Sequence, residues 1–356
     1  MRENIMKKKK SKLNLIICGI AFVVMLLYIF FIDGVDNLTA SIAAMNPFFL
    51  VIAVLCMCGY WFLETSALHL TAKSLEPNVK FKDSLFVTMI GQYFNCITPF
   101  ASGGQPMQIY YYTKRGLTLG SAMTALISRF IVYQFVLTVY SVVFLVFKLS
   151  MFTTGNLQGL TFLTIIGFII NTAVIALLFM VAFFRKPTTK MAHGIIRLLG
   201  KIRIVKDVDA KITFIDNELE QYHENFLFIK KKPLLILKCC ALTAVQLFLY
   251  FSITYVIYLG FGMSETDIFT ITACQSFVLM ISSFVPLPGA LGAAEGSYAA
   301  FFGDIFGKFT GFSTFVWRFL TFYLPILIGL VINLSLTRRG KENLSQIEEN
   351  AEKNID

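Results

Sequence analysis

The sequence predicts an all-α polytopic membrane protein, with about six transmembrane helices plus two re-entrant broken-helix hairpins in an inverted repeat. Three observations lead there. Of 356 residues, 56% are hydrophobic and only 15% are charged, against about 45–50% and 25% in soluble domains. Eight runs carry no Asp, Glu, Lys or Arg: 13–32, 37–63, 84–113, 130–147, 149–184, 239–264, 268–294 and 319–337. Each is near or above the roughly 20 mostly apolar residues that a spanning helix needs. The runs are continuous instead of alternating apolar and polar, which excludes a β-barrel.

Charge sets the order of the elements across the bilayer. The chain carries 31 Lys and Arg and 21 Asp and Glu, a net charge of +10. Residues 1–12 hold Arg2, Lys7, Lys8, Lys9, Lys10 and Lys12, so the N-terminus is expected in the cytoplasm. A cleaved signal peptide competes, with Ser41-Ile42-Ala43 as the cleavage site, but the 20-residue apolar run is longer than the roughly 7–15 residues of a signal core. Helix 1, about 13–32, exits to a loop with Asp33 and Asp36. Helix 2, about 47–70, returns to Lys73, Lys80 and Lys82.

The run 84–113 then starts inside and ends inside, at Lys114-Arg115. A segment that enters and leaves on one side is a re-entrant hairpin. Its middle, Thr98-Pro99-Phe100-Ala101-Ser102-Gly103-Gly104-Gln105-Pro106, breaks a helix. Helix 3 (about 118–147) goes out and helix 4 (about 159–184) comes back, completing a first membrane half over 13–184. The segment 185–232, with eleven Lys and Arg, is read as cytoplasmic. The second half spans 233–337. Helix 5 (about 233–260) leads to Glu265 and Asp267. The run 268–303 breaks at Pro286-Leu287-Pro288-Gly289 and ends near Asp304 on the same outer side. Helix 6 (about 311–336) ends inside at Arg338-Arg339-Lys341, before a polar cytoplasmic tail, 338–356. By this assignment 26 of the 31 basic residues lie on the cytoplasmic side.

Within 185–232, Val205, Val208, Ile212, Ile215, Leu219, Tyr222 and Phe226 repeat at 3–4 spacing, one apolar stripe on a helix. Packing on the membrane domain, lying at the interface, or a partner-binding coiled coil each satisfies it. The seven cysteines all sit in apolar runs with no C-x-x-C pair, and His69, His193 and His223 have no metal-ligand spacing. They read as packed thiols and not as a zinc site.

The two hairpins repeat each other. Pro99-Phe100-Ala101-Ser102-Gly103 and Pro288-Gly289-Ala290-Leu291-Gly292 share P-x-A-x-G. Thirty residues after each proline stands Arg-Phe, Arg129-Phe130 and Arg318-Phe319, at a constant offset of 189. Entry from opposite faces is the pattern of inverted-repeat transporters, whose broken helices meet near the midplane.

The candidate chemistry gathers there. Arg129 and Arg318 sit within apolar segments, where an arginine costs about 2.5–3.5 kcal/mol on insertion scales. A planar fork suits a lipid phosphate. Pairing with Glu64 or Glu295, or snorkelling, accounts for them equally in kind. Glu295 can start a half-helix, bind a cationic headgroup or carry a proton. Gly103, Gly104, Gly289 and Gly292 allow close backbone approach and leave amides free at helix ends, or serve packing alone. Gln92, Asn95, Gln105 and Gln108 line the first hairpin. Gln275, Ser282 and Ser283 line the second, and Glu64 lies toward the cytoplasmic third of helix 2. No P-loop, G-x-S-x-G or H-E-x-x-H occurs. No catalytic residue, metal or cofactor is expected, and no nucleic-acid partner.

The tract GQYFNCITPFASGGQPMQIYYYTKRG at 91–116, followed by SRFIVYQ and later VPLPGALGAAEG, resembles the transmembrane region of the lysylphosphatidylglycerol synthase/flippase family, the multiple peptide resistance factors. The resemblance covers about residues 10–340. It implies movement of aminoacylated phosphatidylglycerol to the outer leaflet of a bacterial plasma membrane, which weakens binding of cationic antimicrobial peptides. Full-length members carry a C-terminal synthase domain. This chain ends at Asp356 and is expected to be a stand-alone form. Other relatives accompany glycolipid or polyprenyl-lipid pathways, so a related phospho- or glycolipid is an open cargo. The expectation is a lipid flippase, with Arg129 and Arg318 on the phosphate and Glu295 on an amine or proton. A phosphatidylglycerol lysyltransferase and a non-transporting scaffold for a lipid synthase are the alternatives. Membrane lipids are the expected partners, with a synthase or a second copy of the chain as further candidates.

Overall fold

The structure, a computed structural model, describes residues 35–147, 183–201, 207–283 and 285–332, with scattered helical positions at 19, 23 and between 166 and 181. Nearly all of expected helix 1, half of helix 4, the stretch 338–356 and the start of the 205–226 stripe lie outside the described residues. Every described element is helical.

In chain order the elements are α1 (Val35–Ala44), α2 (Pro47–Leu75), α3 (Phe81–Ile97), α4 (Gly104–Thr113), α5 (Leu119–Phe147), α6 (Arg185–Lys201), α7 (Val208–Lys230), α8 (Pro233–Gly260), α9 (Ile268–Ser282), α10 (Ala293–Phe306) and α11 (Thr310–Arg318). A π-helical turn, Phe319–Tyr323, follows α11, and the helix then runs to Ile332. Among the described residues, four helices are long and apolar enough to cross a membrane, or five if a bent pair counts as one. That is fewer than the six expected, in part because nearly all of helix 1 and half of helix 4 fall outside the described residues. The last candidate, Ala293–Ile332, has 40 residues. At 1.5 Å per residue it would measure about 60 Å, twice a bilayer. Gly307, at φ +53, breaks it into α10 and a final helix.

The expected outer loop after helix 1 is in fact helical, as α1. Asn46 ends that helix and starts the next. Its Oδ1 accepts from Phe48 N at 3.0 Å, Pro47 occupies the first turn where no N–H is needed, and Asn46 N donates to Gly260 O at 2.8 Å. This bond joins the start of α2 to the end of α8. The two long helices share the most extensive helix–helix contact of the fold. They approach closely at Gly59, where a Cβ would stand 2.9 Å from Leu249 Cδ1, as small residues allow in a membrane.

Each expected break stands between two short helices that pack on each other. α3 and α4 flank the first; at 17 and 10 residues they reach about 25 and 15 Å. α9 and α10 flank the second; at 15 and 14 residues they reach about 22 and 21 Å. A hydrocarbon core is about 30 Å thick, so each of these helices is shorter than a full span. The first hairpin closes by interlocking glycines with amides. A Cβ on Gly91 would take the space of the Gln108 side chain, and one on Gly104 the space of Asn95.

The two tips share one turn geometry at the offset of 189. Ala101 N donates to Thr98 O at 3.2 Å as Ala290 N does to Leu287 O at 3.0 Å. Ser102 N donates to Pro99 O at 3.1 Å as Leu291 N does to Pro288 O at 3.3 Å. Phe100 and Gly289 have φ of 54° and 59°, and Ala101 and Ala290 have 51° and 52°. Left-handed backbone at three non-glycine residues is uncommon and costs energy. The tips also touch, with Pro99 and Pro288 pairing as an isolated antiparallel bridge.

α7 carries the apolar stripe of 205–226. Its Leu219, Tyr222 and Phe226 are buried, and the helix packs on α5. Glu218 Oε2 accepts from Gly120 N at 2.9 Å and so caps an orphan amide of α5. This buried face is occupied within the chain.

Candidate functional site: a polar cavity between the hairpins

A cavity of about 560 Å³ lies among α2, α3, α5, α8, both hairpin tips and the turn after α11. Ten of the residues singled out from sequence line it: Arg129, Arg318, Glu64, Gln92, Asn95, Gln105, Gln108, Ser282, Ser283 and Gly289. The other five do not. Gly103 and Gly104 pack against Thr98 and Asn95. Gly292 and Glu295 bond to each other at the start of α10. Gln275 is fully buried and its Oε1 accepts from Thr254 Oγ1 at 2.9 Å.

The two arginines, equivalent in sequence, differ in their surroundings. Arg318 is anchored. Its Nε donates to Glu295 Oε1 at 2.5 Å and its Nη2 to Gly289 O at 2.7 Å. Its side chain is only 6% exposed and lies over the Phe322 ring at 4.7 Å, a favourable cation–π contact. Glu295 is anchored in turn, because Oε2 accepts from Gly292 N at 2.7 Å. That bond is half of a capping box and satisfies the amide at the start of α10. Of the readings for Glu295, helix start is the one that the hydrogen bonds describe.

Arg129 is more open. Its Nη2 pairs with Glu64 Oε1 at 3.0 Å, with side chains 13% and 6% exposed. Glu64 Oε2 also accepts from Gln92 Nε2 at 2.5 Å. Yet Arg129 Nε is buried and, among the described residues, has no hydrogen-bond partner. A buried charged donor without an acceptor is costly, and an anionic oxygen would relieve it. The charge-assisted bond to a phosphate is one of the strong kinds.

Sequence reasoning missed part of the wall. Tyr60, Tyr133, Gln134, Tyr250 and Thr321 also line the cavity. Tyr133 stands four residues after Arg129, on the same helix face, and its ring lies 5.5 Å from the guanidinium carbon. That spacing was readable. Tyr250 lies in a long apolar run of α8 with no local signal.

The residues that match a known family include both hairpins and both arginines. The family model of the lysylphosphatidylglycerol synthase TM region matches residues 16–329. The chain belongs to that family. Two relatives of this member are each described as a UPF0104 membrane protein. One, from Archaeoglobus fulgidus, is 25% identical over 303 residues, covering 82% of this chain and 88% of its own. The other, from Methanothermobacter thermautotrophicus, is 21% identical over 343 residues, covering 91% and 93%. An uncharacterized protein from Mycoplasma pneumoniae is 22% identical over 267 residues, covering 68% and 66%. For a member of the lysylphosphatidylglycerol synthase TM region, the membrane reading of the apolar helices holds.

Proposed function

We propose that the protein is a lipid flippase of a bacterial plasma membrane, with both termini cytoplasmic, that carries a phospholipid headgroup through the cavity while the acyl tails stay in the bilayer. The observation that carries this is Arg129 Nε, a buried donor with no partner among the described residues, in a cavity lined by polar side chains of both hairpins. Arg129 takes the lipid phosphate. Arg318, held by Glu295 and Gly289 O, fixes the second tip and adds positive potential. Gln92, Asn95, Gln105 and Gln108 offer neutral hydrogen bonds to the rest of the headgroup. The inverted-repeat reading, supported by the matching turns, supplies alternating access by rocking of the halves. The cargo is aminoacylated phosphatidylglycerol or a related phospho- or glycolipid, and its export lowers the negative charge that draws cationic antimicrobial peptides.

The test is paired. In cells with and without the protein, total aminoacyl-phosphatidylglycerol is quantified together with the fraction labelled by a membrane-impermeant amine reagent. An unchanged total with a larger labelled fraction is expected. A raised total would replace the proposal with synthesis, and no change in either would remove this lipid as the cargo.

A further inference from the structure

Helix α6 has no part in the cavity, and its sequence, RKPTTKMAHGIIRLLGK, has five Lys and Arg and no acidic residue. At 100° per residue it divides into three faces. The first packs on α7: Thr188 and Ile196 are buried, His193 Nε2 lies 2.6 Å from Asp216 Oδ1, and Arg185 Nη2 lies 2.9 Å from Glu220 Oε1. The second face, Met191, Ile195 and Leu198 at i, i+4 and i+7, is apolar and exposed, Leu198 by 60%. The third carries Lys186, Lys190 and Arg197, all exposed.

We propose that α6 is an interfacial helix that lies on the membrane leaflet and selects anionic phospholipid, with Met191, Ile195 and Leu198 in the acyl boundary and Lys186, Lys190 and Arg197 at headgroup level. Three observations choose lipid over a protein partner. The preceding helical residues, Thr172–Val181, meet α6 at 98°, the angle expected where a crossing helix gives way to one along the surface. The exposed Phe183 and Phe184 stand at that bend, and Phe is among the residues that bury the apolar face of an interfacial helix. An all-basic helix with one narrow apolar stripe has the composition of a surface-bound amphipathic helix, and each cation near an anionic leaflet adds attraction.

The experiment uses the full chain in nanodiscs of phosphatidylcholine, alone or mixed with phosphatidylglycerol. The photo-crosslinker benzoylphenylalanine replaces Ile195 or, on another face, Thr189, and adducts are identified by mass spectrometry. The probe at Ile195 is expected to yield phospholipid adducts, enriched in phosphatidylglycerol above its share of the disc, while the probe at Thr189 yields few. The combined change Lys186→Gln, Lys190→Gln and Arg197→Gln is expected to keep the adducts and lose the enrichment. Protein adducts at Ile195, equal lipid yields at both positions, or adducts that ignore headgroup charge would each overturn the proposal. None of these readouts depends on lipid translocation.

Discussion

At the scale of single residues, a buried charge is tolerated only with its partner. Removing one member of a buried ion pair costs about 3–5 kcal/mol. Arg318→Ala strands Glu295 and frees the Gly289 carbonyl, so a loss of that order is expected in chemical or thermal unfolding of the purified protein. Arg129 and Glu64 allow a finer separation. Arg129→Gln and Glu64→Gln are each expected to destabilise, whereas the double variant, neutral again, is expected to be more stable than the sum of the singles predicts. The double variant should still fail to export lipid, because the phosphate donor is gone. Full export by a folded Arg129→Gln protein would remove Arg129 from the headgroup site. The intramembrane positions of these arginines were legible from sequence because charge is so rare in the apolar runs. Their inequality was not, since it depends on Glu295 and Gly289 folding back onto one of them and not the other.

At the scale of elements, the breaks in the hairpins were plain from proline and glycine, and the short helices follow from where those residues fall. The individual glycines were not separable by sequence. Gly289, at φ +59, faces the Phe322 ring at a distance no Cβ can share, whereas Gly296, inside α10, has open space around it. Gly289→Ala is therefore expected to destabilise by roughly 1–3 kcal/mol and to push Phe322 out of place. Gly296→Ala is expected to stabilise α10 by up to about 1 kcal/mol. The pair, compared by thermal unfolding in one detergent, checks the tip geometry directly. α7 adds a second case. The stripe could be read, but not that Glu218 would reach Gly120 N at the start of α5. Glu218→Ala is expected to cost about 1 kcal/mol, as loss of a cap does, with no change in the pairing of Arg129.

At the scale of the whole molecule, apolar length and the scarcity of charge were enough for the all-helical membrane class. Which helices touch was not legible, because residue type does not distinguish one apolar face from another: α2 and α8, one from each half, form the largest contact. The two hairpin tips also touch, at the bridge between Pro99 and Pro288. Neither proline has an N–H to donate across it, and the bridge stands alone with no strand ladder on either side, so the tips can part at low cost. Cysteines in place of Phe100 and Leu287, flanking the bridge, are expected to stop export when oxidised and to restore it on reduction. Export that continues with the tips covalently joined would show that the hairpins need not separate.

The π-helical turn after Arg318 has a consequence for insertions and deletions. Such a wide turn holds one residue more than an α-helix needs while the flanking segments keep their faces. Most single-residue deletions in a membrane helix rotate everything beyond them by about 100° and misdirect a whole face. A deletion between Phe319 and Tyr323 should instead be absorbed, leaving Arg318 on one side and Leu324–Ile332 on the other as they were. The final helix thus carries its own spare residue beside the cavity, and shortening the chain by that one residue would redirect Thr321 and Phe322 while sparing the rest of the fold.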